Sequence, residues 1–268
     1  MTVRKILIAV AAAVFLFSGF MVLKYYWQCD SSEEYIEDVV EMAVTYVEKP
    51  TEGSTTDAMT ATQTPSCTEE DLEISEIPEV TEVAPIEVDF DALYEVNQDV
   101  VAWIYSPDTP INHPIVQAED NAYYLRRRLD GKSDFYGTLF LDYRNTFDDW
   151  NCIVHGHNMY SEAMFGTLTK YRKQDYFDAH SVMYLITPQQ SYKIRIFAGF
   201  TTSGEADVYL ALNPEEKSAF IEKWLNASDF VSQVYPASTD RIITLSTCAY
   251  ESDGARYVLM GVLEKLAN

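Results

Sequence analysis

Residues 241–263, RIITLSTCAYESDGARYVLMGVL, place a cysteine and an arginine at the ends of two neighbouring apolar segments. Residues 242–245 predict a buried strand, and Cys248 stands where the apolar residues give way to polar ones. Eight residues later, Arg256 begins a second apolar segment. A buried cysteine is commonly a small hydrophobic side chain. A catalytic role for Cys248 therefore needs support from the rest of the chain.

The part of the chain upstream of this stretch has the pattern of a mainly β domain that begins near residue 86. Many short strands with few helices are typical of a barrel, so we expect one domain built as a closed or nearly closed β-barrel. The segments that predict strands are 138–143, 151–156, 181–187, 191–200, 241–247 and 255–263.

Three further segments of this domain predict helices. The first covers residues 90–105, where apolar residues recur at helical spacing, and the second covers residues 119–129. The third, at 213–228, interrupts the strands, with Asn213 as the expected cap, Pro214 in the first turn and Glu216 at the capping-box position. Its apolar face consists of Phe220, Ile221, Trp224 and Leu225. This helix either packs on the barrel as a decoration or forms a wall over a groove.

The N-terminus carries an apolar segment long enough to cross a bilayer. Residues 6–23 contain no charge, and as a helix they would span about 27 Å. A cleaved signal peptide is the alternative, but no small residues form a cleavage site behind the apolar segment. We therefore expect residues 1–5 inside the cell, an uncleaved anchor at 6–27 and the remainder outside.

The segment between the anchor and the β domain is strongly acidic. Residues 28–89 contain 18 acidic residues and one basic residue, Lys49. Such a composition repels itself and cannot bury a core, so residues 28–85 predict an extended stalk, although 31–49 has some helical periodicity. The domain at 86–268 is also acidic and has no basic stripe, which argues against nucleic-acid binding.

The remaining cysteines and histidines leave two questions open. Cys29 and Cys67 lie in the acidic segment, where a disulfide between them is conceivable outside the cell. His155 and His157 form a His-x-His pair at the end of a predicted strand, a spacing that can bind zinc. No third ligand stands near them in sequence, so no metal or other cofactor is expected.

A thiol, an imidazole and a guanidinium can instead form a nucleophilic site. A nearby histidine favours the thiolate of a cysteine and can later protonate a leaving amine. An arginine supplies fixed positive charge and directed donors for the oxyanion that forms on a carbonyl. This chemistry would suit Cys248, His157 and Arg256 if they meet at one rim of the barrel.

The motifs TLSTC at 244–248, Arg256 eight residues later and GHNM at 156–159 resemble those of sortases. The resemblance extends from about residue 90 to the C-terminus. INHPIVQ, YYL, GTLFLDYRN and the helix inserted before the cysteine strand are similar to class B in particular. Sortases are membrane-anchored cysteine transpeptidases of Gram-positive cell surfaces.

The resemblance implies a closed eight-stranded barrel with catalytic Cys248, His157 and Arg256, and with Ser246 in contact with substrate. It also implies the reaction: cleavage of the C-terminal sorting motif of a secreted protein after its Thr, a thioester on Cys248, and transfer to a peptidoglycan amine. His155 is then only a neighbour of the site. Ala249 stands where some relatives carry an acid.

Two other functions remain open from the sequence. One is a pilin-polymerising sortase, whose acceptor is a protein lysine. The C-terminal LMGVLEKLAN is too short for the second membrane segment that such enzymes often carry. The other is an anchored β-domain that only binds a partner, which would make the arrangement of Cys248, His157 and Arg256 accidental.

Overall fold

The computed structural model describes residues 3–47, 82–248 and 254–267. A long N-terminal helix leads through a two-stranded sheet to a closed barrel of eight strands, as expected for the fold class. The helices are α1 (Val3–Ala43), α2 (Phe90–Val96), α3 (Gln174–Ala179) and α4 (Lys217–Asn226). The strands outside the barrel are β1 (Val44–Tyr46) and β2 (Ile86–Val88). The barrel strands are β3 (Val100–Tyr105), β4 (Asn112–Val116), β5 (Leu139–Leu141), β6 (Asn151–Gly156), β7 (Val182–Ile186), β8 (Ser191–Ser203), β9 (Ile242–Cys248) and β10 (Ala255–Lys265).

The order of strands around the barrel is β10-β8-β7-β3-β4-β5-β6-β9, and β9 closes it onto β10. Two of the neighbouring pairs are parallel, β4 with β5 and β6 with β9. The other six pairs are antiparallel. Because β6 and β9 run parallel, their C-terminal ends lie at the same rim of the barrel. The N-terminal end of β10 lies there too, since β10 is antiparallel to β9.

Both faces of the long strands are buried, which explains their continuous apolar sequences. In β10, Tyr257 and Leu259 belong to the cluster inside the barrel, whereas Val258 and Met260 belong to a second cluster on the outside. Helix α4 covers that outer face, and Trp224 stacks on Phe200 of β8 with ring centroids 4.3 Å apart. Burying each such side chain contributes about 1.5–3 kcal/mol, so the helix is an integral part of the packing.

The predicted helix over residues 90–105 is only half right. α2 ends at Val96, where Asn97 takes an extended conformation and its side-chain amide donates to the Tyr124 hydroxyl and the Leu129 carbonyl. Residues 100–105 form β3 instead. Their apolar residues matched a helical period by coincidence, and β-branched residues buried between β4 and β7 favour a strand.

The other predicted helices also needed adjustment at their ends. Within 119–129 the structure forms only a short 3₁₀ helix, Tyr123–Arg126. The inserted helix exists as α4, with Phe220, Ile221 and Trp224 buried as expected. Its N-cap residue is Glu216 and not Asn213. The side chain of Asn213 instead binds the loop before β6, where it accepts a hydrogen bond from the Trp150 backbone and donates one to Asp149.

The segment after the apolar N-terminal residues is not an extended stalk throughout, which corrects that prediction for residues 28–47. α1 continues unbroken to Ala43, in line with the periodicity noted for 31–49, and β1 pairs with β2. Val39 and Ala43 are buried against the barrel. A net acidic composition did not prevent folding because one face of this helix is apolar or hydrogen-bonded. Residues 48–81, including Cys67, lie outside the described residues.

Candidate active site

Three of the strand ends at one rim of the barrel carry the residues predicted for catalysis. Cys248 is the last residue of β9, and its backbone pairs with that of Arg256 in β10. Gly156, the last residue of β6, pairs with Thr247 in the parallel ladder. His157 follows Gly156 directly and therefore stands level with Cys248. The topology brings the three residues together, while the position of the Cys248 thiol lies outside what the structure describes.

A groove of about 780 Å³ opens at this rim. It is lined by the candidate site residues His157, Arg256 and Ser246 and by ten neighbours. These neighbours are Asn121, Leu125, Phe140, Asp142, Arg144, His155, Gly156, Gly204, Tyr209 and Thr247. None of the described residues of α4 lines the groove. Tyr209, from the loop that leads into that helix, does.

The imidazole of His157 is oriented by one hydrogen bond. Its Nε2 lies 2.7 Å from the carbonyl oxygen of Leu125. A carbonyl can only accept, so Nε2 carries the hydrogen, and Nδ1 is the basic nitrogen of the neutral ring. Burial lowers the pKa of His157 below its ordinary value. The hydrogen bond to the Leu125 carbonyl raises the pKa and the nearby charge of Arg126 lowers it, so the net change is downward. The lowered pKa favours the neutral ring, which can take a proton on Nδ1.

Glycine is required between the two histidines by close packing. A side chain on Gly156 would collide with Leu139 and with the ring of Phe165, both buried in the barrel. The end of β6 can therefore pass this point only without a Cβ. The same packing holds the backbone that carries His157.

Arg256 is placed by the turn that begins β10. Gly254 has a φ of 75°, a conformation that a glycine adopts without strain. The guanidinium lies beside Gly204, and its Nη1 donates to the carbonyl of Ala255 at 3.0 Å. Among the described residues it makes no salt bridge. Its remaining donors are thus not committed to a carboxylate there and can bind an oxyanion at the groove.

Ser246, which the resemblance places in contact with substrate, lines the groove and is held by a partner that the sequence did not indicate. Its hydroxyl is 2.7 Å from the hydroxyl of Tyr209, and both side chains are buried. Next to it, the buried hydroxyl of Thr247 has no hydrogen-bond partner among the described residues. Because neighbouring residues of a strand face opposite sides, the Thr247 hydroxyl points away from the Ser246–Tyr209 pair.

A buried carboxylate organises the groove wall next to Ser246. Asp142, 1% exposed, accepts two hydrogen bonds from the guanidinium of Arg144, at 2.8 and 2.9 Å, and one at 2.8 Å from the amide of Asn121. Arg144 in turn donates to the backbone carbonyl of Tyr209 at 2.8 Å. Burial by itself raises the pKa of Asp142, but the hydrogen bonds from His155 and Arg144 outweigh it and lower the pKa overall.

His155 belongs to this wall and not to a metal site with His157. Its Nε2 is 3.1 Å from the Asp142 carboxylate, and its ring stacks on Phe140 and on Tyr209. The two histidines therefore have different partners. Among residues 3–47, 82–248 and 254–267, no three His, Cys, Asp or Glu side chains are placed to hold a metal ion.

Comparison with known proteins agrees with this geometry. The family model of the sortase domain matches residues 104–264. Sortase B of Listeria monocytogenes is 37% identical over 177 residues, covering 64% of this chain and 72% of the relative. Sortase B of Staphylococcus aureus is 29% identical over 185 residues, covering 66% and 75%. The 2.0 Å crystal structure of the S. aureus enzyme superposes with a TM-score of 0.63 at 28% identity, covering 66% of this chain and 87% of that one.

The chain belongs to the sortase family, and it is a cysteine transpeptidase of class B. The alternative of a non-catalytic binding domain is thereby set aside. The match covers the barrel, whose rim carries Cys248, His157 and Arg256. One further feature lies outside the family model: α1 is long and apolar enough to cross a membrane, with a mean hydropathy of 2.7 over its most apolar 18 residues.

Proposed function

We propose that this protein cleaves the C-terminal sorting motif of secreted proteins after its Thr and transfers the resulting acyl group to a peptidoglycan amine. The observation that carries the proposal is the convergence of the ends of β6, β9 and β10 on one groove. Structures of S. aureus sortase B with a substrate and of sortase B with triglycine support both halves of the reaction for those relatives.

Cys248 is the nucleophile and His157 its proton partner. The neutral imidazole takes the thiol proton on Nδ1, and the thiolate attacks the carbonyl carbon of the Thr. When the C–N bond breaks, the imidazolium returns that proton to the leaving amine, and a thioester remains on Cys248. The incoming amine then attacks the thioester, gives a proton to His157, and releases the thiol as the new amide forms.

Arg256 stabilises the oxyanion of each tetrahedral intermediate. Its backbone stands opposite that of Cys248, and its guanidinium presents planar donors to the groove. Such donors are most effective when they are fixed before the charge develops. The low polarity of the buried strand ends strengthens the interaction.

The substrate peptide occupies the groove between Tyr209 and Leu125. The peptide then lies beside Ser246 and His155, which are neighbours on adjacent strands, and beside Asp142. Specificity then depends on the loop that carries Tyr209, which Arg144 holds through the Tyr209 carbonyl. The inserted helix α4 supports this loop from behind and does not itself contact the peptide.

The N-terminal helix anchors the enzyme. Residues 1–5 lie inside the cell, 6–27 cross the bilayer and the catalytic domain lies outside, because basic residues precede the apolar segment and none interrupts it. Domain limits follow from this: the catalytic unit is 86–268, with residues 28–47 packed against it. N-terminal sequencing of the protein isolated from membranes should find residue 1 or 2, and a start near residue 30 would contradict anchoring.

The test of the catalytic roles compares four variants on sorting peptides, with the products analysed by mass spectrometry. Cys248→Ala should form no acyl-enzyme, and His157→Ala should lose nearly as much turnover. Arg256→Lys keeps the charge but not the planar fork, so kcat/KM should fall on the order of 10²-fold. Arg195→Lys is the matched control, because Arg195 pairs with Glu264 on the barrel surface. Near-native turnover of folded Arg256→Lys would refute the oxyanion role.

A further inference from the structure

The barrel touches α1 immediately beyond its apolar N-terminal segment. The uncharged residues of this segment end at residue 23, and Tyr25 follows two positions later. The ring of Phe135, from the loop before β5, packs edge-on against Tyr25 with centroids 5.8 Å apart. Tyr160, in the loop after His157, lines the same crevice as Tyr25 and the acidic residues Asp30 and Glu33. Contact between helix and barrel thus begins where the membrane-crossing segment ends.

This placement fixes how deep Phe135 lies, given the anchor proposed above. A bilayer is about 30 Å thick in its hydrocarbon core and about 40–45 Å with its headgroups, which leaves each headgroup layer about 5–8 Å thick. Tyr25 is two residues, or about 3 Å of helix rise, past the uncharged segment. A ring 5.8 Å from that of Tyr25 therefore lies within or at the edge of the outer headgroup layer.

The side chains at this level are unusual for a water-facing surface. Tyr160 is 87% exposed and Phe135 39% exposed, and both are aromatic. Arg126 lies over the Phe135 ring at 5.0 Å and donates to the Phe135 carbonyl. On a strongly acidic chain, neither Arg126 nor Arg127 forms a salt bridge within the described residues. Aromatic rings beside uncompensated arginines are the composition of a membrane–water interface.

We propose that Arg126, Phe135 and Tyr160, here called the headgroup patch, rest in the outer headgroup layer of the bilayer that α1 spans. The aromatic rings insert among the headgroups, and the Arg126 guanidinium binds a lipid phosphate with directed hydrogen bonds. The partner of this surface is the lipid bilayer itself. The inference depends on the anchoring role of α1 and adds a second point of attachment on the catalytic domain.

The headgroup patch is connected to the catalytic histidine on both sides. Leu125, whose carbonyl holds the His157 ring, directly precedes Arg126, and Tyr160 follows His157 by three residues. The groove therefore opens close to the membrane surface and not at the end of a long tether. A sorting peptide would be captured beside the bilayer.

The experiment uses the full chain in vesicles of phosphatidylcholine and phosphatidylglycerol that contain an alkyne-tagged phospholipid. The photoreactive residue p-benzoylphenylalanine replaces Tyr160 or Phe135 in separate variants. Replacement of Trp27 is the positive control, because this residue follows the apolar segment of α1. Replacement of Tyr235, 72% exposed in the loop before β9, is the matched negative control. Light-induced lipid attachment is measured after labelling of the alkyne.

Lipid attachment at positions 135 and 160 should approach that at position 27 and exceed that at 235 about tenfold, since apolar side chains at an interface lie among the lipids. Attachment at 27 with only background at 135 and 160 would overturn the headgroup patch and leave the anchor intact. Background at all four positions would overturn the anchor and the patch together. Attachment at 235 equal to that at 160 would show non-specific contact and also refute the proposal.

Discussion

Replacement of Asp142 by Asn tests whether the buried carboxylate holds the groove wall together. In the folded protein this side chain accepts two hydrogen bonds from Arg144 and one each from His155 and Asn121. An amide has one accepting oxygen, and its NH₂ group would face the Arg144 donors. Breaking a buried ion pair by removal of one partner costs about 3–5 kcal/mol. The Arg144 side chain is 33% exposed, and water compensates part of the loss, which favours the lower end.

A loss of about 3 kcal/mol in a domain of this size lowers Tm by roughly 6–12 °C. Thermal unfolding of a soluble form that begins at Lys24 would measure this difference. Asp148→Asn is the matched control, since Asp148 is exposed on the same loop and its replacement should stay within about 0.5 kcal/mol. The variant should also show a raised KM, because Arg144 loses the partner that aims it at the Tyr209 carbonyl.

The pH dependence gives this prediction a second, independent check. The folded-state pKa of Asp142 is below its unfolded value of about 3.9, so its stabilisation is present above pH 4. It is lost as the pH falls through the folded pKa and the carboxylate becomes protonated. The Tm gap between wild type and Asp142→Asn should therefore be full at pH 7 and shrink below about pH 4. Equal Tm values at pH 7, or a gap that widens on acidification, would refute the reasoning.

Three further outcomes are expected. Tyr209→Phe and Ser246→Ala should each lower the free energy of unfolding, measured in urea, by about 1–3 kcal/mol. The double variant should lose less than the sum of the two, and strict additivity would show that the two hydroxyls do not interact. Deletion of residues 48–81 should leave peptide turnover unchanged, whereas Val39→Asp should lower Tm because it buries an unpaired charge at the helix–barrel contact. The reverse result would mean that the acidic segment supports the fold. Leu210→Ser, at a 70% exposed position beside the groove, should change the ratio of kcat/KM between sorting peptides without changing Tm, and an unchanged ratio would remove this loop from specificity.

Most barrel strands could be predicted because their apolar residues are buried on both faces and bounded by polar turns. Two barrel strands, β3 and β4, were not predicted, and β3 shows the limit of periodicity. Val100 and Ile104 are four residues apart and match a helix equally well. What decides between the two is the partner strand β4, in which His113 pairs with Ile104. Such a partner is invisible in a local pattern.

The three candidate catalytic residues could be singled out in the sequence because each stands at a strand end with a recognisable local motif. The wall that shapes the groove could not, since Arg144 and Tyr209 are far apart in the chain and meet only through folding. A weak signal was present in Asp142 and Arg144, an acid and a base two residues apart at the end of a strand. The packing of α1 against the barrel was not predicted, because the acidic composition of residues 28–85 indicated a segment without a core. The apolar residues Val39 and Ala43 were too few to indicate otherwise.

The pairing of β1 with β2 changes the mechanical role of the acidic segment. Val44 and Tyr46 pair with Val88 and Ile86, so the chain leaves and re-enters the folded part at one place. If α1 anchors the protein as proposed, residues 48–81 are inserted in parallel with the connection between membrane and barrel, not in series with it. Tension on the barrel would then pass through the contacts of α1, and the length of the insertion could change without altering the reach of the groove. With that anchor, a protease that cuts within 48–81 would leave a nicked enzyme on the membrane, where a true stalk would have shed it.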